Sequence, residues 1–481
     1  MIRRREFIHL AGGLTPLLAS GPPLRIGASK QLFFDDHVIE SREGVTREMG
    51  RARKMNGARP VIEVTEPAEK PRDLGYYLTA LRDGGRLRMW YWADRDSGIG
   101  YAESNDGFRW DKPHVGEGRT DNLIYRAHGI RRGQGFGCCY DPHETDPAHR
   151  YKSAFDCGSI SNTRAGLAHS PDGIRWTDYN RGQPVTGRAA DTHNQILWDE
   201  KAGLYRLSTR TDFGTAGGKG EVRGNRIMVN PDVKSNPGGW KPIREWKLDA
   251  GGESEAARRQ INAVTYWLYE GVYFALLHVY EWMQFPFQGN VDFHRRHERD
   301  ILNFYIAASR DGVNFDLRWV YQEKPLVPRG PDGTFDKDGI CPPSQLVTWK
   351  DLHWIYYGGL NERHYCPDRE MGIGLATVRL DGMIYLAADS SGGVVVTRPF
   401  LLEGERLEVN LDSHDGEAIV EVLDDAGNPA PGFTQRFRDL DEVHAQPDWG
   451  GQVQLGQLKG RPVRLRFRLR TAKLYSFRIF S

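Results

Sequence analysis

Ala168-His169-Ser170-Pro171-Asp172-Gly173-Ile174-Arg175-Trp176 recurs, with substitutions, as Ala102-Glu103-Ser104-Asn105-Asp106-Gly107-Phe108-Arg109-Trp110 and Ala307-Ala308-Ser309-Arg310-Asp311-Gly312-Val313-Asn314-Phe315. The shared pattern is Ala-x-Ser-x-Asp-Gly, then an apolar residue, any residue and an aromatic one. A worn copy stands at Ala376-Thr377-Val378-Arg379-Leu380-Asp381-Gly382-Met383. Successive alanines lie 66, 139 and 69 residues apart, so the middle interval has room for one more unit. Arg226-Ile227-Met228-Val229-Asn230-Pro231-Asp232, with Trp240 in the aromatic slot, fills it and brings the count to five. A fixed period of this size marks a repeated supersecondary unit.

Each copy reads as a strand, a tight turn and a second strand. The Asp side chain bonds the turn amides, and Gly supplies φ > 0. These aspartates are therefore expected to serve the local backbone rather than a reaction. Two strand-like runs precede each motif: 76–81 with 87–91, 194–198 with 204–208, 263–266 with 273–277, and 345–347 with 353–357. With the motif hairpin they make four strands per repeat. Five such repeats predict an all-β fold, a five-bladed β-propeller over 30–392, in which radial packing protects the sheet edges. No long 3.6-residue period competes. Beyond 398 the spacing changes to alternating runs at 406–411, 418–423, 463–469 and 474–480, with turn clusters between them. They predict a small C-terminal β-sandwich over 398–481.

A chain of 481 residues with 39% hydrophobic content can bury the cores of at least two domains. The 65 basic and 64 acidic residues nearly cancel, which argues against a nucleic-acid partner. The 13 Trp and 20 Tyr supply flat faces that pack in strand layers and also stack on sugar rings. At the N-terminus, Arg3-Arg4-Arg5-Glu6-Phe7-Ile8 precedes an apolar stretch, 10–19, of about ten residues, too short to span a bilayer, which takes about 20. Residues 1–21 resemble a twin-arginine export signal, which implies a periplasmic or secreted protein without membrane insertion. Five cysteines do not make a disulfide framework. Cys341 with Cys366, or Cys138 or Cys139 with Cys157, are candidate bridges, and buried free thiols are the alternative.

In a propeller, the approaches to the innermost strands and the loops between second and third strands converge on the central channel. Glycosidic cleavage needs one protonated carboxyl for the leaving oxygen and one ionised partner. Asp191 is expected as the nucleophile or base, Glu281 as the acid beside a stacking Trp282, and Asp338 as a positioning carboxylate. His193, Asn194, Arg210, Arg259, Glu362, Arg363 and Tyr365 complete the expected substrate contacts, the arginines because a guanidinium forks onto carboxylate or sulfate. His193, His278 and His364 have no metal-ligand spacing. No redox cofactor is expected. A structural calcium ion is compatible with carboxylates converging on the channel, although no dedicated calcium loop is present.

The turns are close to the aspartate-box turn of sialidases, one residue shorter. Together with the five-fold period and the ending Leu474-Tyr475-Ser476-Phe477, they resemble exported propeller proteins related to glycoside hydrolase families 32 and 43. The resemblance covers nearly the whole chain after the leader. It includes the run from Asp191-Thr192-His193-Asn194 to Trp198-Asp199 and the segment 374–382. It implies a glycoside hydrolase acting on a polysaccharide or oligosaccharide. The Trp-Asn-Asp-Pro-type signature that carries the family 32 nucleophile is absent, so no catalytic position is carried over. Two rivals stand beside this reading: a noncatalytic carbohydrate-binding propeller, and a sialidase-like hydrolase or lyase acting on an acidic sugar.

Overall fold

In the computed structural model, Ser170 and Asp172 form a turn that consumes its own side chains. The Ser170 Oγ accepts from Gly173 N (2.8 Å), and the Asp172 carboxylate accepts from Ile174 N (2.9 Å) and Arg175 N (2.8 Å). The same bonds recur at Ser104 and Asp106 and at Ser309 and Asp311. The aspartates are turn residues, as the repeat implies. The structure describes residues 21–481 except 95–97, 116–117, 119, 127–133, 160–161, 188–189, 214–221, 249–258, 283–299, 365 and 452. The leader expected at 1–21 lies outside the described residues but for its last.

Contacts divide the chain into two units: 49–384, and 385–481 together with the N-terminal residues up to 48. The first unit is nearly all β, with one short helix at Arg318–Tyr321. One antiparallel sheet holds Leu78–Asp83, Arg86–Asp94, Gly98–Ser104 and Leu123–Arg126. A second holds Gly137–Tyr140, Tyr151–Ser159, Asn162–Ser170 and Thr177–Asp178. A third holds Gln195–Asp199, Leu204–Phe213, Val222–Asn230 and Lys241–Trp246. The fourth sheet has eight strands in two groups. Arg259–Tyr269, Val272–Trp282 and Asp300–Ser309 form one; Gly339–Cys341, Val347–Trp349, Leu352–Leu360, Met371–Arg379 and the early strand Arg53–Lys54 form the other. A single parallel pair, Leu302 with Gly339, joins the groups.

At four places the repeated turn fastens one strand group to its neighbour. Gly173 in the second sheet accepts from Trp90 Nε1 in the first (2.6 Å), and Gly312 accepts from Arg206 Nη1 in the third (2.7 Å). Gly107 in the first sheet accepts from the Tyr356 hydroxyl (3.1 Å), which belongs to the last group. In the worn copy the Asp381 side chain accepts from the Tyr269 hydroxyl (2.6 Å) of the preceding group. The first and last strand groups are also tied by the Leu78–Pro343 bridge, and the last group is completed by Arg53–Lys54 pairing with Ala376 and Thr377. The third sheet carries the divergent copy: Asn230 accepts from Asp232 N (2.9 Å), and Asp232 accepts from Ser235 N (2.9 Å).

In the second unit, six strands around Arg406–Asp412 and Ala472–Phe480 form one sheet, and six around Glu417–Leu423 and Pro462–Arg470 form another. Phe33, Val409, Val420, Phe467 and Phe477 share their core. The stretch from 30 to 48, expected within the propeller, belongs here instead. Gln31–Leu32 pairs with Ala472–Phe480, and Ile39–Glu43 pairs with Gly393–Thr397. The boundary expected near 392 accordingly falls at 384. Gln31–Leu32 has only two residues and Ile39–Glu43 is polar after its first, so neither shows a period-2 pattern that a periodicity reading could find. Among the described residues no helix is long and apolar enough to cross a membrane.

The turn makes a stability prediction. Gly173 has φ +73°, and a Cβ there would lie 2.7 Å from Trp90 Cζ2. Asp172→Ala removes two backbone–carboxylate bonds and is expected to lower the unfolding free energy by about 2 kcal/mol. Gly173→Ala is expected to destabilise as well, through its backbone strain and the Trp90 contact. Urea titration followed by tryptophan fluorescence checks both; unchanged midpoints would contradict the fastening role.

Candidate functional site

The first strands of the groups meet in a belt of polar side chains. The Gln195 amide donates to Tyr266 O (2.9 Å) and Ser344 O (2.6 Å) and accepts from Tyr266 N (2.8 Å). The Ser344 hydroxyl meets Thr79 Oγ1 (2.6 Å) and His193 Nε2 (2.9 Å), and Thr79 Oγ1 accepts from Cys138 N (3.2 Å). Thr265 Oγ1 donates to Pro343 O (2.8 Å). Strands buried on both faces leave their polar groups no water, so each must find a partner across the belt. Asn194, expected to touch substrate, is used up here: its amide donates to Ala190 O and Thr192 O and accepts from Thr209.

Against the belt stands an aromatic cluster. Tyr76 and Tyr77 meet edge to face at 4.8 Å, and Tyr77 stacks on Trp92 at 5.7 Å. His193 lies 5.4 Å from the Tyr77 ring and His278 5.8 Å from Tyr76, while Tyr280 and His364 close the group at 5.5 Å from each other. Three buried polar atoms in this cluster have no hydrogen-bond partner among the described residues: Trp92 Nε1, His193 Nδ1 and His278 Nε2. Burial pulls the His193 pKa down to about 3; burial, and secondarily the neighbouring His193, does the same to His278. Both imidazoles are therefore neutral at ordinary pH. Burial also raises the phenols of Tyr76, Tyr77 and Tyr280, which remain protonated donors.

Charge enters beside Tyr77 and Tyr280. Asp191 is paired with Arg210, whose Nε and Nη2 are held by Asp212, both at 2.7 Å. The Asp191 side chain keeps 35% of its exposure, whereas Arg210 keeps 8%. Arg223 lies over the Tyr280 ring at 5.1 Å. Burial disfavours its charge, but Tyr280, Asp191 and Asp212 outweigh that and raise its pKa. An accessible carboxylate backed by a fixed guanidinium pair and flanked by aromatics can bind a polyol or act on it.

Glu281 lies elsewhere. Side chains alternate along Val272–Trp282, so His278 and Tyr280 face the aromatic cluster while Glu281 takes the opposite face with Leu277 and Val279. There it accepts from Arg259 Nε (2.9 Å) and Nη2 (2.7 Å), from Asn303 Nδ2 (2.6 Å) and from the Tyr305 hydroxyl. These four donors engage both of its carboxylate oxygens. They also commit Arg259, whose Nη1 donates to Val320 O. Asp338 sits among Lys337 and Arg363 at 3.5 Å and Arg329 at 4.0 Å, and Glu362 pairs with Lys337 at 3.1 Å. The three carboxylates proposed for catalysis have separate sets of partners. The Trp282 side chain, Tyr365, most of the segments 253–259 and 94–96, and the charged insert at 292–298 lie outside the described residues.

Tyr76, Tyr77, Trp92, Arg223 and Arg369 were not singled out by sequence. Arg369 lies over the Tyr76 ring and bonds Asp73 (3.1 Å). Tyr76-Tyr77 directly before a first strand was the available signal; it reads equally well as strand packing. The five cysteines are free, four of them buried, so neither candidate bridge forms. Among the described residues no group of three or more His, Cys, Asp or Glu has metal-holding geometry.

No protein-family model matches the sequence. No curated protein matches it either. Among solved structures, an N-acetylgalactosamine deacetylase from F. plautii, in complex with blood group B trisaccharide, is similar at 15% identity over 71% of this chain and 97% of its own, with a TM-score of 0.44. A glycosyl hydrolase from Bacteroides ovatus is similar at 15% identity over 68% and 94%, TM-score 0.44. A fructofuranosidase from Schwanniomyces occidentalis is similar at 10% identity over 89% and 99%, TM-score 0.41. Likenesses of this size assign no activity, and the functional reading rests on the chain's own residues.

The neutral histidines make a pH prediction. Unfolding lets each imidazole return from about 3 to about 6.5, so the unfolded chain binds more protons between those values. Their stabilising share is complete above pH 6.5 and is lost as pH falls towards 3. Shifting from pH 7 to pH 5 is expected to cost the wild type about 2 kcal/mol more than His278→Gln. Equal losses in denaturant titrations at the two pH values would contradict the assignment.

Proposed function

We propose that the chain is an exported, periplasmic or secreted glycoside hydrolase acting on a polysaccharide or oligosaccharide. In this reading residues 49–384 are a five-bladed propeller, with the eight-stranded sheet counting as two blades, and the second unit is a β-sandwich. The leader at 1–21 directs export. The observation that carries the reading is the cluster of orphaned donors and acceptors on Trp92, His193 and His278, walled by Tyr76, Tyr77 and Tyr280, with the Asp191 carboxylate near enough to help raise the Tyr77 and Tyr280 phenols. Sugar hydroxyls satisfy such groups while the ring faces stack on the aromatics. Asp191 is the nucleophile or base, the role its exposure and its support by Arg210 favour. A second carboxyl gives the leaving oxygen its proton. Glu281 takes this role only if it lets go of Arg259 and Tyr305, and Asp338 serves to position substrate.

The donors on Glu281 and the cations around Asp338 favour one rival, a propeller that binds sugar without cleaving it. Reducing-sugar release from a panel of neutral and acidic polysaccharides separates the two. Asp191→Asn is expected to lower the rate about 10³-fold, as for loss of an acid–base group. Glu281→Gln reports whether that carboxyl takes part. Binding without release on every substrate would establish the noncatalytic reading.

A further inference from the structure

Three arginines, Arg210, Arg259 and Arg363, are chemically suited to hold an anionic sugar substituent, and the structure distinguishes among them. Arg210 is spent on Asp191 and Asp212, and Arg259 on Glu281 and Val320 O. Arg363 is different. Its Nε lies 3.5 Å from Asp338, beyond good hydrogen-bond range, and its buried Nη1 has no partner among the described residues. Lys337 lies between Asp338 (3.5 Å) and Glu362 (3.1 Å), and Arg329 stands 4.0 Å from Asp338. Among the described residues three cations thus share two carboxylates, leaving one positive charge in excess. The backbone beneath them is fixed, since Asp338 N donates to Leu360 O (3.1 Å) and its carbonyl accepts from Leu302 N (3.1 Å).

We propose that Arg363, assisted by Lys337 and Arg329, binds an anionic group, a carboxylate or a sulfate, carried by the sugar on which the protein acts. The proposal rests on the carbohydrate reading above and narrows it to acidic saccharides. A guanidinium nitrogen left unpaired in a partly buried site is matched by an oxyanion, which accepts in the plane of the fork. Asp338, facing the same cations, then keeps them oriented and limits the site to a single negative charge.

Isothermal titration calorimetry of the full chain at low ionic strength tests this with four probes: sodium sulfate, a trigalacturonate, a sulfated galactose oligosaccharide and neutral galactotriose. One of the anionic saccharides is expected to bind at least ten-fold more tightly than the neutral one, and which one it is distinguishes carboxylate from sulfate. Arg363→Gln is expected to abolish that preference, and Arg363→Lys, which keeps charge but not the fork, to retain part of it. Lys337→Met is expected to weaken the same probes without removing Arg363. Neutral and anionic probes binding alike, or anion binding unchanged in Arg363→Gln, would overturn the proposal. Sulfate binding lost in Arg363→Gln, with no saccharide bound at all, would uphold the anion site and sink the carbohydrate reading instead.

Discussion

Several of the strand groups in residues 49–384 are held by the turn of the next one. Trp90, Arg206 and Tyr356 reach from second strands to turn carbonyls in the following repeat, and with Tyr356 the last group holds the first. A four-stranded sheet has two faces to cover and two edges to protect, and it cannot do either alone. The Ser-x-Asp-Gly turn meets that constraint because its own side chains close it, which leaves its carbonyls free to accept from a neighbour. The glycine lets the neighbouring Trp90 or Trp354 approach to a distance no Cβ would allow.

Stacking of this kind brings the first strands together, and it is there that the chemistry of the channel is decided. Gln195, Ser344 and Thr79 tie the strands across the belt with uncharged groups. The two histidines beside them are neutral because they are buried, so they offer one donor and one acceptor each and no charge. Charge stands around these groups, with Arg223 over Tyr280, Arg369 over Tyr76, Asp191 paired with Arg210 and Asp338 beside Arg363.

The repeat made the all-β architecture legible, because a turn motif with an obligatory Gly and Asp survives while the strands around it drift. It also placed the divergent unit correctly, since Asn230 and Asp232 still close that turn. The pairing of Gln31–Leu32 and Ile39–Glu43 with distant strands was not legible: their partners lie more than 350 residues away and nothing local marks them. At the site, Asp191, Arg210, Asp338 and Arg363 were named one by one, but the pairing of Asp191 with Arg210 and of Asp338 with Arg363 was not legible, since it joins separate segments. The partners of Glu281 were not legible because neighbours in a strand point to opposite faces, and sequence alone did not say which of Tyr280 and Glu281 faces the aromatic cluster. Tyr76, Tyr77 and Trp92 were hidden among many aromatics that pack strands without any further role.

The account stands on one claim, that the cluster around Trp92, His193 and His278 receives a sugar ring beside Asp191. A crystal structure of Asp191→Asn with a bound oligosaccharide tests it most directly. The account predicts a ring stacked in that cluster, with hydroxyls within hydrogen-bond distance of at least two of the three orphaned nitrogens. An oligosaccharide bound only to the second unit, with the cluster filled by packing rearrangement, would contradict it.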